Sequence, residues 1–327
     1  MIEANQLYKT YSIVEKELGL KGSIKAFFHP KKKQIHAVQN ISLTVQKGEI
    51  IGYIGSNGSG KSTTIKMLTG VLYPDRGSVK INGLTPQKHR TAVNKQIGVL
   101  FGQKSHLRWD IPVLESFILH AKIYDVPDKV FEERLEQLIE LLQLGDFIHQ
   151  PVRNLSLGQR VRCEFAAIFI HQPAVVFLDE PTIGLDASVK ETIRSFIRFM
   201  NKEYQTTFLI TSHDMQDIES LCKRIFIIDK GKKFYDGSLT QLREKFSTIK
   251  TISFKTQTPI EELFQINGFR FEKIDSYHFN IHYQTDIYTN AQVINQIFEH
   301  YSIEDLAIKE LTIENIVKQI YEEGLDE

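Results

Sequence analysis

The stretch GSNGSGKSTT at residues 55–64 constrains this chain most, because it matches the pattern G-x-x-x-x-G-K-[ST]. Glycines lack a Cβ, so such a loop can wrap closely around a phosphate with its N–H groups pointing inward. The lysine can reach phosphate oxygens, and the serine hydroxyl suits Mg²⁺, which prefers oxygen ligands. The predicted phosphate-binding residues are Gly55, Ser56, Asn57, Gly58, Ser59, Gly60, Lys61, Ser62 and Thr63.

The sequence on either side of this loop has the periodicity that the motif requires. Residues 50–54 form a short apolar run, typical of a buried strand. After the loop, apolar residues recur at helical spacing until Gly70. A strand, a glycine-rich loop and a helix in this order exclude a chance loop of small residues as a reasonable interpretation.

The length of the chain and its uneven distribution of charge predict two structural units. The chain has 327 residues and a net charge of zero, but residues 241–327 hold 8 lysines and arginines against 15 aspartates and glutamates. That part carries −7 and residues 1–240 therefore carry +7, which indicates units with different surroundings. We find no apolar run of roughly 18 residues and no signal-peptide pattern. The two cysteines lack metal-ligand spacing and are typical of buried thiols in a reducing compartment.

Periodicity predicts an α/β unit followed by a small α+β unit. The predicted strands of residues 1–240 are 2–11, 36–45, 50–54, 78–81, 97–101, 174–178, 207–211, 225–229 and 232–235. The predicted helices after the phosphate loop are 115–124, 128–144, 157–170, 187–200 and 215–222, with 104–170 forming a helical subdomain. In residues 241–327 we predict strands 251–255, 269–274 and 278–283 and helices 289–300 and 312–322.

Two adjacent carboxylates, Asp179 and Glu180, follow the apolar strand at 174–178. Asp179 is suited to hold Mg²⁺ through water, and Glu180 can polarise an attacking water as a general base. The alternative is a buried strand with an acidic end, and the phosphate loop earlier in the chain makes that alternative the weaker one.

The segment LSLGQR at 155–160 makes the interpretation specific, because the chain here resembles the ATP-binding subunits of ATP-binding-cassette (ABC) transporters. Their signature is usually LSGGQ. Ser156, Gly158 and Gln159 match it, whereas Leu157 replaces the first glycine. The LSLGQR variant resembles a branch of drug-type exporter ATPases. The resemblance covers residues 2–240 and implies a P-loop NTPase fold, with a mixed sheet and a helical subdomain.

Further family motifs follow in the expected order. Gln103 matches the Q-loop glutamine, Asp186 lies in the D-loop at 184–186, His213 matches the switch histidine, and Tyr11 matches the aromatic residue that stacks on adenine. The resemblance therefore implies catalytic roles for Glu180, His213 and Gln103. It implies Mg²⁺ contacts for Ser62, Gln103 and Asp179, and nucleotide contacts for Tyr11, Ser156, Gly158, Gln159 and Asp186.

The same resemblance implies partners and a mechanism. Two ATPase subunits, in a homodimer or a pseudo-symmetric heterodimer, are expected to close head to tail around two ATP molecules. Membrane permeases encoded separately would carry the substrate path, which places the chain at the cytoplasmic face of the cell membrane. Trp109 is either a permease contact or a core residue. Residues 241–327 resemble, more loosely, C-terminal extensions of multidrug and polysaccharide exporter ATPases.

Two other classes of ATP-binding protein are disfavoured by the sequence. A mechanical ATPase acting on nucleic acid or ribosomes would carry a long coiled-coil insertion or a second cassette, and this chain has neither. No nucleic-acid partner is therefore expected. A P-loop kinase is disfavoured by the signature at Ser156. LSLGQR and the C-terminal part favour export over import, and the sequence does not identify the substrate.

Residues 12–34 form a basic insertion between two predicted strands. Six lysines against two glutamates give it +4, and Leu20, Ile24, Phe27 and Phe28 share one face of a helix. Such a helix can lie in the headgroup layer of an anionic membrane. The alternative is that its apolar face packs on the protein itself or on a permease.

Overall fold

The computed structural model describes residues 1–14, 32–101, 105–246, 249–260, 269–309 and 313–323. Contacts divide the chain into two compact units, Met1–Asp236 and Gly237–Glu327. The predicted boundary after residue 240 falls a few residues further along, and independent folding of the second unit stays a prediction. Within the described ranges, no helix has both the length and the apolar composition needed to cross a bilayer.

The first unit is built around a six-stranded sheet. Its strands in spatial order are β5 (Ile97–Phe101), β6 (Val175–Asp179), β7 (Thr207–Thr211), β3 (Ile50–Gly55), β8 (Arg224–Asp229) and β9 (Lys232–Ser238). The pairs β5/β6, β6/β7, β7/β3 and β3/β8 are parallel, so the carboxyl ends of β3, β6 and β7 meet at one edge. These strands are nearly continuous runs of Val, Ile, Leu and Phe because both faces of the sheet are buried.

A second, antiparallel sheet is formed by strands from the amino-terminal part of this unit. It contains β1 (Ile2–Val14), with β2 (Lys32–Val45) on one side and β4 (Arg76–Ile81) on the other. One contiguous core joins residues of this sheet, such as Leu7 and Leu43, to Tyr53 and Phe226 of the parallel sheet. Tyr53 and Phe226 stack with ring centroids 5.3 Å apart.

Helices connect and cover these strands. They are α1 (Lys61–Leu68), α2 (Arg90–Asn94), α3 (Val113–Ile123), α4 (Asp128–Leu142), α5 (Leu157–Phe169), α6 (Ala187–Tyr204) and α7 (Met215–Leu221). α3, α4 and α5 lie between β5 and β6 in the chain and correspond to the predicted helical subdomain. Buried aromatic contacts join α5 to α6, since the rings of Phe169 and Phe196 lie edge to face at 4.9 Å.

The second unit is a small α+β unit with its own core. Its antiparallel sheet has the order β11 (Phe269–Lys273), β12 (His278–Gln284), β10 (Ile249–Thr256) and β13 (Ile303–Lys309). The helix α9 (Asn290–His300) packs on one face, where Val293 and Ile297 meet Ile252, Phe279 and Ile281. The helices α8 (Leu239–Phe246) and α10 (Ile313–Glu323) contact each other.

The structure corrects several sequence-based boundaries. The predicted strand ends on either side of the insertion 12–34 are wrong, because β1 continues to Val14 and β2 begins at Lys32, with Val14 opposite Lys32. The predicted amphipathic helix lies outside the described residues, so that hypothesis stays a prediction. The strand β13 and the helix α8 were not predicted at all.

Both cysteines are buried and unpaired. Cys163 lies within α5, and Cys222 directly follows α7. Burial raises the pKa of the Cys163 thiol to about 12 and also raises that of Cys222. The expectation of buried, unpaired thiols is confirmed.

Candidate functional site

The phosphate loop, residues 55–62, connects the end of β3 to the start of α1. Gly60 is the N-cap of α1 and has φ of +106°, a conformation that side chains with a Cβ rarely adopt. A Cβ on Gly60 would lie 2.2 Å from the carbonyl oxygen of Ala37, so the loop packs directly against β2. The glycine is therefore required by both conformation and space.

Lys61 points back over the loop. Its Nζ donates hydrogen bonds to the carbonyl oxygens of Gly55 at 2.6 Å and Ser56 at 3.1 Å, and the residue is only 7% exposed. Burial lowers the pKa of Lys61, while the charges of Glu180 and Asp179 oppose that shift. A cation thus lies close to Asp179, the last residue of β6, and to Glu180, which follows it.

Asp179 is the last residue of β6, at the same sheet edge as the phosphate loop. Its Oδ2 accepts a hydrogen bond from Ser62 Oγ at 3.0 Å, and its Oδ1 accepts one from Thr211 Oγ1 at 2.7 Å. A hydroxyl and a carboxylate oxygen at this separation are hard oxygen donors of the type that Mg²⁺ takes, with water in the remaining positions. The residues present therefore fit the predicted metal.

Glu180 lies beside this pair with its backbone in a left-handed conformation, φ +54°. Its N–H donates to Thr211 at the carbonyl oxygen, 3.1 Å, and at Oγ1, 3.0 Å, which compensates for the unusual backbone. Its side chain turns to His213, whose Nε2 lies 2.8 Å from Glu180 Oε1. The two neighbouring carboxylates thus face different partners, one the loop serine and the other the histidine.

These groups surround a cavity of about 200 Å³ beside the start of α1. The residues that line it are Ala37, Asn57, Gly58, Gly60, Lys61, Ser62, Thr63 and Glu180. The lining therefore combines phosphate-loop residues, among them Lys61, with Glu180. Such a cavity can hold phosphate groups and an attacking water in one place.

The signature turn, residues 155–159, forms a second helix N-terminus in the same chain. Ser156 is the N-cap of α5 and makes a capping box, in which Ser156 Oγ accepts from Gln159 N at 3.2 Å and Gln159 Oε1 accepts from Ser156 N at 2.8 Å. Ser156 and Leu157 are exposed. In the described part of the chain, no residue of this turn lines the cavity.

The signature turn packs against the D-loop of the same chain. A Cβ on Gly158 would meet Val189 Cγ2 at 2.9 Å, and one on Gly184 would meet Leu157 Cδ2 at 3.4 Å. Asp186 is the N-cap of α6 and accepts from Val189 N at 2.9 Å. The signature and the D-loop therefore form one continuous surface.

Two other predicted residues lie away from these groups or outside the described ranges. Tyr11 is on β1 and is 37% exposed. It lies opposite Ile35 of β2, and Ile35 precedes the cavity-lining Ala37 by two residues. Gln103 lies outside the described residues. The residues just after it in the described chain, Ser105 and His106, donate hydrogen bonds from Oγ and from N to the carboxylate of Glu164 in α5. These bonds connect α5, the helix that begins in the signature turn, to this segment.

Sequence reasoning missed Thr211 and Asp217. Thr211 donates to the Asp179 carboxylate and accepts from the backbone N–H of Glu180. Buried Asp217 accepts hydrogen bonds from Thr182, Arg194 and Ser212. Asp217 thereby joins the loop after Glu180, the helix α6 and the loop before His213. No local pattern marks these residues, because their partners lie far away in the sequence.

Apolar side chains lie exposed at the beginning of the helical subdomain. Trp109 is 54% exposed and Ile123 58%, and Ile111, Ile118 and Leu119 are also exposed. The Arg160 guanidinium, next to the signature turn, lies 5.8 Å from the centroid of the Trp109 ring. The alternative that Trp109 is a core residue is wrong.

Comparisons with known proteins agree on one family. A family model described as ABC transporter matches residues 38–183. The ABC transporter ATP-binding protein NatA of Bacillus subtilis is 34% identical over 66% of this chain and 88% of its own length. Nod factor export ATP-binding protein I of Ralstonia nicotianae is 33% identical over 63% of each chain. Methionine import ATP-binding protein MetN 2 of Enterococcus faecalis is 31% identical over 69% of this chain and 66% of its length.

Solved structures show the same fold. An ATP-binding cassette solved as a dimer in a post-hydrolysis state with ADP and Pi superposes with a TM-score of 0.61 at 22% identity. The match covers 73% of this chain and 99% of that one. The predicted mixed α/β fold with a phosphate loop is confirmed.

Proposed function

Since the chain belongs to the ABC transporter ATP-binding proteins, we propose that it is the ATP-hydrolysing subunit of an exporter with separate membrane permeases. The observation that carries this proposal is the arrangement at the sheet edge. Glu180 lies 2.8 Å from His213, and Ser62 lies 3.0 Å from Asp179, both beside the phosphate loop. Hydrolysis of a phosphoanhydride needs a base, a charge clamp and a metal site together, and the nearness of these groups supports assigning all three roles here.

In this proposal the chain's own groups divide the work. The loop N–H groups and Lys61 bind the phosphates, and Glu180 takes a proton from the attacking water while His213 orients that carboxylate. Ser62 and Asp179, with Gln103, would hold Mg²⁺, which supplies charge neutralisation on the phosphate oxygens. Tyr11 stacks on the adenine ring.

We further propose that the working unit is a head-to-tail dimer. The N-terminus of α5 is exposed, and Leu157 is 44% exposed, so the signature turn can cap a phosphate held by another chain. Ser156, Gly158 and Gln159 would act on that phosphate, and Asp186 would contact the partner through the D-loop. ATP then binds both halves, and its hydrolysis releases them.

The exposed apolar patch at Trp109 supports a docking site for the permease. Non-polar side chains in water at the surface of a helical subdomain fit a buried contact in an assembly better than a free surface. Glu164 connects the signature helix to the segment that precedes this patch. A permease bound here would lie next to the groups that sense the nucleotide, at the cytoplasmic face of the membrane.

Export remains the proposed direction. The LSLGQR sequence of the signature turn and the acidic C-terminal unit support it, and one relative is named for Nod factor export. Another relative is named for methionine import, so the direction has to be measured.

The test uses the chain with its permeases in membrane vesicles. ATP added on the side that holds the ATPase should drive accumulation inside inverted vesicles if the system exports. A Trp109→Glu variant should lose co-purification with the permeases, whereas Tyr204→Glu, on a distant exposed aromatic residue, should keep it. Uptake only into right-side-out vesicles would contradict export, and retention of the Trp109→Glu chain would contradict the docking site.

A further inference from the structure

The hairpin beside the nucleotide cavity contains a β-bulge. Lys9 lies opposite Val38, but Thr10 lies opposite His36, so Ala37 is an extra residue on β2. Its carbonyl oxygen faces Gly60, at 2.2 Å from an ideal Cβ there, and Ala37 lines the cavity. A bulge of this kind redirects a strand. Here it brings β2 against the phosphate loop and sets one wall of the cavity.

The bulge lies where β1 loses its neighbour on the other side. Pairing between β1 and β4 ends at Tyr8, opposite Arg76, so the backbone of Lys9 and Thr10 continues without a partner strand there. Asp75 takes over at this point. Its own N–H donates to Tyr8 O at 2.8 Å, and its Oδ2 accepts from Thr10 N at 2.7 Å. A side chain thus continues the hydrogen bonding that β4 has ended.

The same carboxylate holds a lysine. Lys9 Nζ donates to Asp75 Oδ1 at 2.7 Å and to Tyr73 O at 2.9 Å. On the other side of β1, Thr10 Oγ1 lies 3.1 Å from His36 Nδ1, next to Ala37. The hydrogen bonds from Lys9 Nζ and from Thr10 N lower the pKa of Asp75. At the bulge, β1 is therefore held on both of its sides, by Asp75 on one and by His36 of β2 on the other.

We propose that Asp75 is a positioning residue for the nucleotide base. By binding Lys9 and Thr10 it fixes the bulged hairpin, which carries Ala37, a residue of the cavity lining, and Tyr11, the residue proposed to stack on the base. The inference rests on the proposed nucleotide site, and it assigns to Asp75 a larger effect on binding of the base than on binding of the phosphates. Asp75 does not line the cavity and acts only through β1 and β2.

A ligand without a base separates the two effects. The full chain, with Asp75→Ala and Asp75→Asn variants, is titrated with ATP and with inorganic tripolyphosphate. Asp75→Ala should weaken ATP binding about tenfold, since charge-assisted hydrogen bonds to the hairpin are lost, while tripolyphosphate binding changes less than about twofold. Asp75→Asn keeps an acceptor for Thr10 N but loses the charge for Lys9, so its effect should be intermediate.

Two further variants serve as controls. Asp125 also forms an ion pair at 2.7 Å, with Lys95, and Asp125→Asn should leave both titrations as in the wild type. Tyr11→Ala should weaken ATP but not tripolyphosphate. Adding Asp75→Ala to it should cause little further loss, because both changes act on the same contact.

The outcomes separate this inference from the proposed function. Equal losses for ATP and tripolyphosphate, or no loss for ATP, would overturn the role of Asp75 while leaving the nucleotide site in place. A folded wild-type chain that binds neither ligand would overturn both. If Asp75→Asn binds ATP more weakly than the wild type but binds tripolyphosphate equally well, with an unchanged circular dichroism spectrum, the inference is supported even when Asp75→Ala does not fold.

Discussion

The phosphate loop and the signature turn are both helix N-termini with a serine near the first turn, yet they are built in opposite ways. The phosphate loop is held from outside: Gly60 packs on the Ala37 carbonyl, and Gly231 N donates to Ser59 O at 3.0 Å. Its own N-cap makes no side-chain hydrogen bond. The signature turn is held from within, by the capping box of Ser156 and Gln159.

This difference explains which half can bind a ligand alone. A loop supported by distant strands needs no side-chain cap on its helix N-terminus, so N–H groups there can bind a phosphate, with the adjacent carboxylates nearby. A turn whose N–H groups are hydrogen-bonded by its own side chains is stable without a ligand, but by itself it does not enclose a binding cavity. We infer that nucleotide affinity resides in the phosphate loop, whereas the signature turn contributes after two chains meet.

The largest effect is expected from Glu180→Gln, which removes the base and leaves the phosphate contacts. Hydrolysis should fall about 10²- to 10⁴-fold. ATP binding should persist, so that a dimer accumulates with ATP and Mg²⁺ in size-exclusion chromatography. Glu191→Gln, at an exposed side chain of α6, is the matched control and should hydrolyse ATP as the wild type does. A Glu180→Gln chain with full turnover would refute the assigned role.

Adding one methyl group to each helix start tests the comparison directly. Gly60→Ala forces a Cβ into φ +106° and against a backbone oxygen, which cannot move aside. Strain of about 1–3 kcal/mol should weaken ATP binding about 5- to 150-fold. Gly158→Ala meets only a valine methyl. Monomer affinity should then match the wild type while hydrolysis decreases. Equal losses of affinity in calorimetric titrations would contradict the comparison.

Ser156→Ala should separate stability from catalysis. Loss of the N-cap destabilises α5 by about 1 kcal/mol. Binding of ATP to the separate chain should be nearly unchanged, while hydrolysis decreases. Mixing this variant with Lys61→Ala should restore one composite site per heterodimer. Verified heterodimers without any recovered turnover would exclude action between chains.

The smallest effect on nucleotide binding is expected from removing the second unit. Both helix starts lie within Met1–Asp236. A chain ending near residue 237 should therefore bind ATP with the affinity of the full chain in the same titration. We propose on this basis that residues beyond about 240 form an independent unit. A soluble, folded truncated chain without affinity for ATP would show that this boundary is wrong.

The sequence predicted those parts of the site that are local in the chain. Lys61 and Ser62 follow from the loop pattern, and Asp179 follows from an apolar strand that ends in carboxylates. The contacts of Thr211 and Asp217 were missed, because they depend on how β6, β7 and α7 come together. The bulge at Ala37 also has no sequence signal, since it arises from a one-residue difference between two strand registers.

The strands with the highest apolar content were the ones predicted most closely from the sequence. β6 and β7 are buried on both faces and were predicted closely. β13 reads IEDLAIK and is mostly exposed, so its hydrophobic pattern is weak and only its pairing with β10 defines it as a strand.

The two buried cysteines make this chain a convenient background for thiol chemistry. Thiolates are the reactive form, and burial with a raised pKa keeps Cys163 and Cys222 in the protonated form. A maleimide or a spin label should therefore leave the native protein unmodified. A single cysteine introduced at Ile183, which is 64% exposed next to the D-loop, would then carry the sole label on each chain. Distances between two such labels would follow the proposed closure directly, without removal of any native residue from the core.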